Sequence, residues 1–193
     1  NASLLFTPDG DLTSWYDKMV LIPFGEYLPW PFDFLKGKIE GPQNFQSGND
    51  VMLFDTGKFQ FATPICYEAI LSNQVEKMLG GDFLINITDD GWFMDTKASY
   101  QHAMLAATMS MKNGIPLVRV SANGISMVVE PHGAIRYETR LFEDVADVIP
   151  VRQARFETAH QKWGWVFPYF CLMLSLWVVG LVSFSSHYHT PSE

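Results

Sequence analysis

The stretch KASYQHAMLAATMSMKNGIPLVRVSANGISMVVEPHGAIRYET, residues 97–139, decides the fold of this chain. Its first part, 97–112, is rich in Ala and Met and is followed by Asn113-Gly114, a pair at which helices end, so we predict a helix there. Apolar strands at 117–120 and 125–130 come next, joined across Asn123-Gly124, which is a strong hairpin signal. A helix followed by paired strands is typical of a layered α/β domain.

The same alternation extends towards the N-terminus. Residues 58–63 alternate polar and apolar side chains, which predicts a strand, and 83–87 is a short apolar strand. Between them, apolar side chains at 71, 75, 78 and 79 share one helix face, and Gly80-Gly81 ends that helix. Residues 27–50 hold several Pro and Gly with little periodicity. We predict a long loop there, of the kind that forms lids or binding loops.

The composition changes sharply near the C-terminus. Residues 163–184 form a run of 22 without a charge, and a helix of that length spans about 33 Å, enough for a bilayer core. Trp163, Trp165 and Tyr169 lie at one end, where amphipathic aromatics favour the membrane interface. A buried core helix is the alternative. We therefore predict a catalytic domain over 1–158 and one transmembrane helix with a short tail over 159–193.

Composition excludes several classes of function. The net charge of -8 in 193 residues disfavours binding to nucleic acid. Charged residues make up 18% of the chain, below the roughly 25% of typical soluble domains. The two cysteines, Cys66 and Cys171, fit neither a disulfide framework nor a zinc site, and the five histidines are scattered. We expect no metal and no cofactor.

Cys66 is the candidate nucleophile. The segment Thr63-Pro64-Ile65-Cys66-Tyr67-Glu68 places it where a strand ends and a helix is predicted to begin directly afterwards. The positive end of such a helix favours a thiolate, and backbone N–H groups at the turn can stabilise an oxyanion. A lone cysteine is more often a buried structural residue. The context of the turn favours the nucleophile.

A nucleophilic thiol also needs a proton acceptor and a positive group near the developing charge. Lys18 supplies a candidate cation within YDKMVLIPFGEYLP, residues 16–29. Taken alone, Lys18 has the sequence context of a solvated surface lysine. His102 lies in a predicted helix and is more typical of a packing or hydrogen-bonding residue than of a catalyst.

The segments YDKMVLIPFGEYLP and ICYE resemble the lysine and cysteine segments of the nitrilase superfamily. Within it they are most similar to the apolipoprotein N-acyltransferases, bacterial membrane enzymes. The resemblance continues through NITDDGWF at 86–93, through 101–133 and into the C-terminal apolar run. It implies a partial nitrilase-like α-β-β-α sandwich followed by the membrane helix.

The resemblance also implies roles for particular residues. The family uses a Glu-Lys-Cys triad, so Cys66 would be the nucleophile and Lys18 the lysine that stabilises the oxyanion. The backbone N–H of Tyr67 would help to form the oxyanion hole, and Glu68 would support the active site. Glu26 matches a further acid that the acyltransferases hold near the active site.

The triad glutamate has no match in this chain. It should lie upstream of Lys18, where the acids are Asp9, Asp11 and Asp17, none in a matching motif. The sequence also opens with Asn1 inside an apparent strand. We therefore expect an upstream part of the same protein to supply the base, and expect this chain alone to fold incompletely and to be inactive.

The implied reaction moves a phospholipid acyl chain through a Cys66 thioester to the N-terminal amine of a diacylglyceryl-cysteine apolipoprotein. Trp30, Phe32 and Phe34 would meet the acyl chains, with packing on the domain as the alternative, and Trp92 would line the acyl pocket or serve as a structural aromatic. A membrane-anchored amidase and a non-catalytic membrane-anchored binding module are the competing functions.

The charges around the apolar run bear on its orientation. Arg152, Arg155 and Lys162 precede it and no Lys or Arg follows it, which by the positive-inside rule favours a cytoplasmic domain. The resemblance instead implies the bacterial inner membrane with the catalytic domain in the periplasm. We follow the resemblance, because long domains translocate largely regardless of their charge.

Overall fold

The computed structural model describes residues 1–35, 37–38 and 45–187. The chain divides into two compact units, Asn1–Phe156 and Glu157–Glu193. The first unit opens with an antiparallel pair of strands, β1 (Ala2–Phe6) and β2 (Leu12–Asp17), which form a two-stranded sheet of their own. Lys18 follows β2 directly, so this pair positions the lysine segment.

A second sheet holds the remaining strands of the first unit in chain order. They are β3 (Phe54–Asp55), β4 (Gln60–Ala62), β5 (Phe83–Thr88), β6 (Leu117–Ser121), β7 (Met127–Val129) and β8 (Ile135–Glu138). The β4–β5 and β5–β6 pairs are parallel and the others antiparallel. Parallel neighbours need crossover connections, which contain α1 (Ser72–Lys77) and α2 (Lys97–Asn113). The predicted α/β class is confirmed.

Helix α2 follows from its sequence. Its N-cap residue Thr96 accepts a hydrogen bond from the backbone N–H of Ala98. It ends at Gly114, which has a φ of 58° in the left-handed region that glycine adopts at little cost. Small side chains on its buried face, including Ala103 and Ala106, share one hydrophobic core with residues of β5 and β6.

The predicted loop over 27–50 contains a short 3₁₀ helix, Phe32–Leu35. Residues 36 and 39–44 of that loop lie outside the described part of the chain. Its far end returns to the lysine segment, because the backbone N–H of Gly48 donates to the carbonyl oxygen of Lys18 over 2.8 Å.

The second unit contains α3 (Ala159–Trp163), capped by Thr158, and α4 (Val166–His187). Residues 166–183 are long and apolar enough to cross a membrane by length and composition, and none of them is buried. The uncharged run predicted as one helix is therefore divided between the end of α3 and α4. Pro168 lies in the first turn of α4, where a missing backbone N–H costs nothing.

Candidate active site

Cys66 lies on a strained turn at the end of the second sheet. Ile65 forms a parallel β-bridge with Ile87, which extends the pairing of β4 and β5 as far as the residue before Cys66. Cys66 has a φ of 51°, in the left-handed region that is uncommon for a residue with a side chain. Such strain persists only where the surroundings enforce it and is concentrated at functional sites. The turn is therefore the leading candidate for the site of chemistry.

The helix predicted directly after Cys66 is different in the structure. Cys66–Ile70 is a five-residue 3₁₀ helix, and α1 begins only at Ser72. The field of a helix terminus falls off within its first turn. The predicted α-helix N-terminus does not lie at Cys66, and the predicted stabilisation of a thiolate there stays a prediction.

Glu68 fastens the cysteine turn to the lysine segment. It has no exposed surface. One carboxylate oxygen accepts from the backbone N–H groups of Met19 at 2.7 Å and Val20 at 2.9 Å and from the Tyr16 hydroxyl at 2.9 Å. The other accepts from the backbone N–H of Ile65 at 2.8 Å. The turn of Cys66 and the segment of Lys18 are thus joined through one carboxylate. Burial, together with the charge of this carboxylate, raises the pKa of Tyr16.

Lys18 is buried, with 1% of its surface exposed, so the surface context suggested by its sequence is wrong. Its Nζ donates to both oxygens of Glu26, at 2.9 and 2.8 Å. Glu26 also accepts from the backbone N–H of Ile22 at 2.9 Å and from the Asn1 side chain. A buried lysine that loses its partner is costly, and the two hydrogen bonds to Glu26 hold Lys18 Nζ in place.

The three acids upstream of Lys18 do not reach it. Asp9 and Asp11 lie in the turn between β1 and β2, and the six residues of β2 separate that turn from Lys18 by about 20 Å. Asp17 is exposed, whereas Lys18 is buried. Among the described residues, Glu26 is the acid that meets Lys18.

The aromatic residues predicted to meet lipid are exposed. Trp30 is 86% exposed and Phe34 64%, so neither is buried against the described part of the chain. Phe32, at 38%, forms ring contacts with Phe24 at 5.2 Å and with Phe34 at 6.4 Å. We name residues 24–35 the aromatic arm.

Trp92 lies on a short 3₁₀ helix, Gly91–Phe93, and is 76% exposed. Its role, in the acyl pocket or as a structural aromatic, stays a prediction. Tyr67 is also exposed, at 37%, directly after the nucleophile.

Sequence reasoning missed a buried polar cluster next to the turn, formed by Asn86, Asp90 and Arg119 together with His102. Its signals were present: Asn86 interrupts the apolar strand 83–87, and Arg119 is the one charge in the strand 117–121. The prediction that His102 is a hydrogen-bonding residue is confirmed, because its Nδ1 lies 2.9 Å from Asp90 Oδ1.

A cavity of about 420 Å³ lies along β6 and residues 143–151. Neither Cys66 nor Lys18 lines it. Within the described part of the chain, no group of three or more His, Cys, Asp or Glu side chains is placed to hold a metal ion.

The sequence matches a known family. The family profile described as Carbon-nitrogen hydrolase matches residues 1–150. The Apolipoprotein N-acyltransferase of Geobacter metallireducens is 32% identical over 176 residues, covering 89% of this chain and 34% of that protein. That of Brucella melitensis biotype 1 is 37% identical over 134 residues, covering 65% of this chain and 25% of that protein. The chain thus spans about a third or less of the length of these relatives.

Solved structures agree on the fold. A mutant amidase from Nesterenkonia sp. AN1, with the acetamide moiety of fluoroacetamide added covalently at its active-site cysteine, superposes with a TM-score of 0.53. It is 19% identical, and the match covers 72% of this chain and 51% of that one. Glutamine-dependent NAD+ synthetase from Acinetobacter baumannii has a TM-score of 0.55 at 16% identity, covering 78% and 33%. The resemblance to the apolipoprotein N-acyltransferases is confirmed, and the chain belongs to the carbon-nitrogen hydrolase family.

Proposed function

We propose that this chain carries the nucleophile of an N-acyltransferase. Cys66 attacks the ester of a phospholipid acyl chain, forms a thioester and releases a lysophospholipid. The N-terminal amine of a diacylglyceryl-cysteine apolipoprotein then attacks the thioester, takes the acyl chain and regenerates the thiol. This two-step transfer is ordinary covalent catalysis by an activated thiol. The relatives that bear the name Apolipoprotein N-acyltransferase support the choice of reaction.

The observation that carries the proposal is the single-carboxylate link between the Cys66 turn and the lysine segment. Glu68 bonds the backbone on both sides at distances of 2.7 to 2.9 Å. This link positions the lysine segment, and Glu26 fixes Lys18 Nζ at 2.9 and 2.8 Å, so Lys18 can stabilise a developing oxyanion without reorganising during the reaction. Lys18 is assigned this role, and the backbone N–H of Tyr67 is assigned the second donor.

The proton acceptor is proposed to lie upstream of Asn1. Glu68 already accepts four hydrogen bonds, and Glu26 already accepts two from Lys18 and one from Ile22. Neither is free to take a proton from Cys66 without losing these contacts. Without a positioned base, acyl transfer lacks the proton transfers that both leaving group and incoming amine need, so we expect the chain alone to be inactive.

Lipid substrates fit two further features. The aromatic arm exposes Trp30 and Phe34 to solvent, and exposed apolar surface marks ligand or membrane contact. Trp92 adds a third exposed ring. Helix α4 is proposed to anchor the chain in the bacterial inner membrane with the first unit on the periplasmic side, where both substrates are embedded in the same bilayer.

An amidase is the second candidate, favoured by the fold shared with the Nesterenkonia amidase and its active-site cysteine. The two enzymes differ in what resolves the acyl-enzyme, an amine in the transferase and water in the amidase. In a non-catalytic binding module, no acyl-enzyme would form.

The test uses the native polypeptide that carries these 193 residues, a phospholipid with a radiolabelled acyl chain, and a diacylglyceryl-cysteine peptide with either a free or an acetylated N-terminal amine. We expect the label to appear first on the protein. Of the two peptides, only the one with a free amine should then become labelled. Cys66→Ala and Cys66→Ser should abolish both signals, and Cys171→Ala, the matched control, should leave both. Labelled fatty acid released at the same rate without a free amine would favour the amidase, and an unlabelled protein would favour the binding module.

A further inference from the structure

A buried amide spans the strained turn of Cys66. From β5, the side chain of Asn86 donates through Nδ2 to the carbonyl oxygen of Pro64 at 2.9 Å and to that of Cys66 itself at 3.4 Å. Asn86 has no exposed surface. One NH₂ group therefore bonds a carbonyl oxygen two residues before Cys66 and the carbonyl oxygen of Cys66, the residue that adopts the left-handed conformation.

Arg119 fixes the orientation of this amide. Its Nη1 donates to Asn86 Oδ1. A guanidinium group can only donate, so the amide oxygen must face Arg119 and the NH₂ group must face the two carbonyls. An amide in the reverse orientation would put its oxygen against carbonyl oxygens and its NH₂ against a cation.

Arg119 is fixed in turn by a buried counter-charge. Its Nη2 donates to Asp90 Oδ2 at 2.7 Å, and its Nε donates to the carbonyl oxygen of Ile125 at 3.2 Å. The other oxygen of Asp90 lies 2.9 Å from His102 Nδ1. Burial would raise the pKa of Asp90, but the hydrogen bond to His102 and the charge of Arg119 outweigh it and hold the pKa below its ordinary value.

We propose that Asn86 is a positioning residue for the nucleophile, held in register by Arg119 and Asp90. It clamps the turn in the conformation that a residue with a side chain otherwise avoids, and so fixes the direction of the Cys66 thiol and of the backbone N–H groups beside it. The kinetic part of this inference rests on the proposed acyl transfer. The conformational part does not.

Two substitutions of Asn86 distinguish the loss of its hydrogen-bond donor from the loss of its packing. Asn86→Ala removes the whole clamp. Asn86→Asp keeps the size and the acceptor for Arg119 but turns an oxygen towards the two carbonyls, so it carries the test if Asn86→Ala does not fold. The matched control is Ser99→Ala on α2, because the Ser99 hydroxyl is equally buried and has no hydrogen-bond partner among the described residues.

The experiment measures acyl transfer per reactive site in the native polypeptide that carries these residues. Each variant is isolated as folded protein by size exclusion and a wild-type near-UV circular dichroism spectrum, and Vmax is divided by its concentration, so misfolded protein does not contribute. We expect both Asn86 variants to lower kcat per site by about tenfold or more, equivalent to ~1.4 kcal/mol, with KM for phospholipid nearly unchanged. Ser99→Ala should match the wild type. An unchanged kcat per site in a folded Asn86 variant would overturn the proposal.

Amide hydrogen exchange over residues 63–70 tests the conformational part of the proposal without a measurement of activity. We expect exchange at Ile65 and Cys66 to accelerate by about tenfold or more in the Asn86 variants and not in Ser99→Ala. If the wild type transfers no acyl groups, the proposed function fails while faster exchange still supports the clamp. Exchange that stays at the wild-type rate in a folded variant would contradict the clamp.

Discussion

The cysteine turn and the aromatic arm differ in the burial of their side chains and in their hydrogen bonding. Around Cys66, the side chains that hold the turn are buried, and one of them, Glu68, makes four hydrogen bonds. On the arm, Trp30 and Phe34 leave most of their surface exposed, and the Phe34 ring contacts that of Phe32. The turn holds Cys66 in one backbone conformation, whereas the arm leaves apolar surface exposed.

The difference teaches where substitutions should act. Chemistry requires donors and nucleophile to be set in place before the reaction, so losses at the turn should lower kcat. Capture of a lipid requires apolar area, so losses on the arm should raise KM. Variants in each region therefore test whether the two tasks are separate.

The largest effect is expected at Glu68. Glu68→Ala leaves the buried Tyr16 hydroxyl and three part-buried backbone N–H groups without their acceptor, which costs about 3 kcal/mol or more of folding free energy. Glu68→Gln keeps one acceptor oxygen but turns an NH₂ group towards a donor, so its folding free energy should lie between those of the wild type and Glu68→Ala. Thermal unfolding and acyl transfer should fall together, while Glu138→Gln on the exposed face of β8 should change neither. Wild-type stability in Glu68→Ala would break the link between the two segments.

Lys18→Met tests the chemistry of the turn directly. If the ammonium group stabilises the oxyanion, kcat should fall by about 10²-fold or more, as loss of an oxyanion donor does. Binding of phospholipid should change little. The double variant Lys18→Met/Glu26→Gln should be more stable to unfolding than Lys18→Met alone, because it removes the carboxylate that has lost its cation. A folded Lys18→Met enzyme with normal kcat would remove Lys18 from the mechanism.

The arm should behave in the opposite way. Replacing Trp30, Phe32 and Phe34 together by Ser removes apolar area that is exposed in this structure, so we expect KM for phospholipid to rise about tenfold. The melting temperature should fall by only a few degrees. Steady-state kinetics in mixed micelles and a thermal melt provide both numbers. A large loss of stability with unchanged KM would make these residues part of the core.

The smallest effect concerns acid stability. The folded-state pKa of Asp90 lies below its ordinary value of 3.8, so its charged form stabilises the fold above that pH, and the contribution is lost as the pH falls below it. Asp90→Asn should be less stable at pH 7 but should lose less stability than the wild type between pH 5 and pH 3. Denaturant unfolding at several pH values measures this. Equal acid slopes would contradict the assigned shift.

Much of the fold could be predicted because its signals are local. The end of α2 at Gly114, the short strand 83–87 and the antiparallel pair around Asn123-Gly124 follow from turn chemistry and periodicity, and all are present. The helix after Cys66 was misjudged because five residues of 3₁₀ helix and an α-helix look alike in apolar spacing.

The site was predictable only in part. Cys66 and Lys18 lie in segments with a recognisable pattern, but the burial of Lys18 and its pairing with Glu26 are tertiary facts that no local pattern contains. Asn86 and Arg119 come from strands 33 residues apart and meet because β5 and β6 are parallel neighbours in register. Their one sequence signal is a polar residue inside an apolar strand.

The most direct test is the mass of the Cys66 peptide. The native polypeptide is mixed with phospholipid, quenched in acid, digested and analysed by mass spectrometry. We predict an acyl adduct on the peptide that contains Cys66, sensitive to neutral hydroxylamine as a thioester is, and lost when a free-amine diacylglyceryl-cysteine peptide is added. An adduct on Cys171, or acyl transfer that persists in Cys66→Ala, would contradict it.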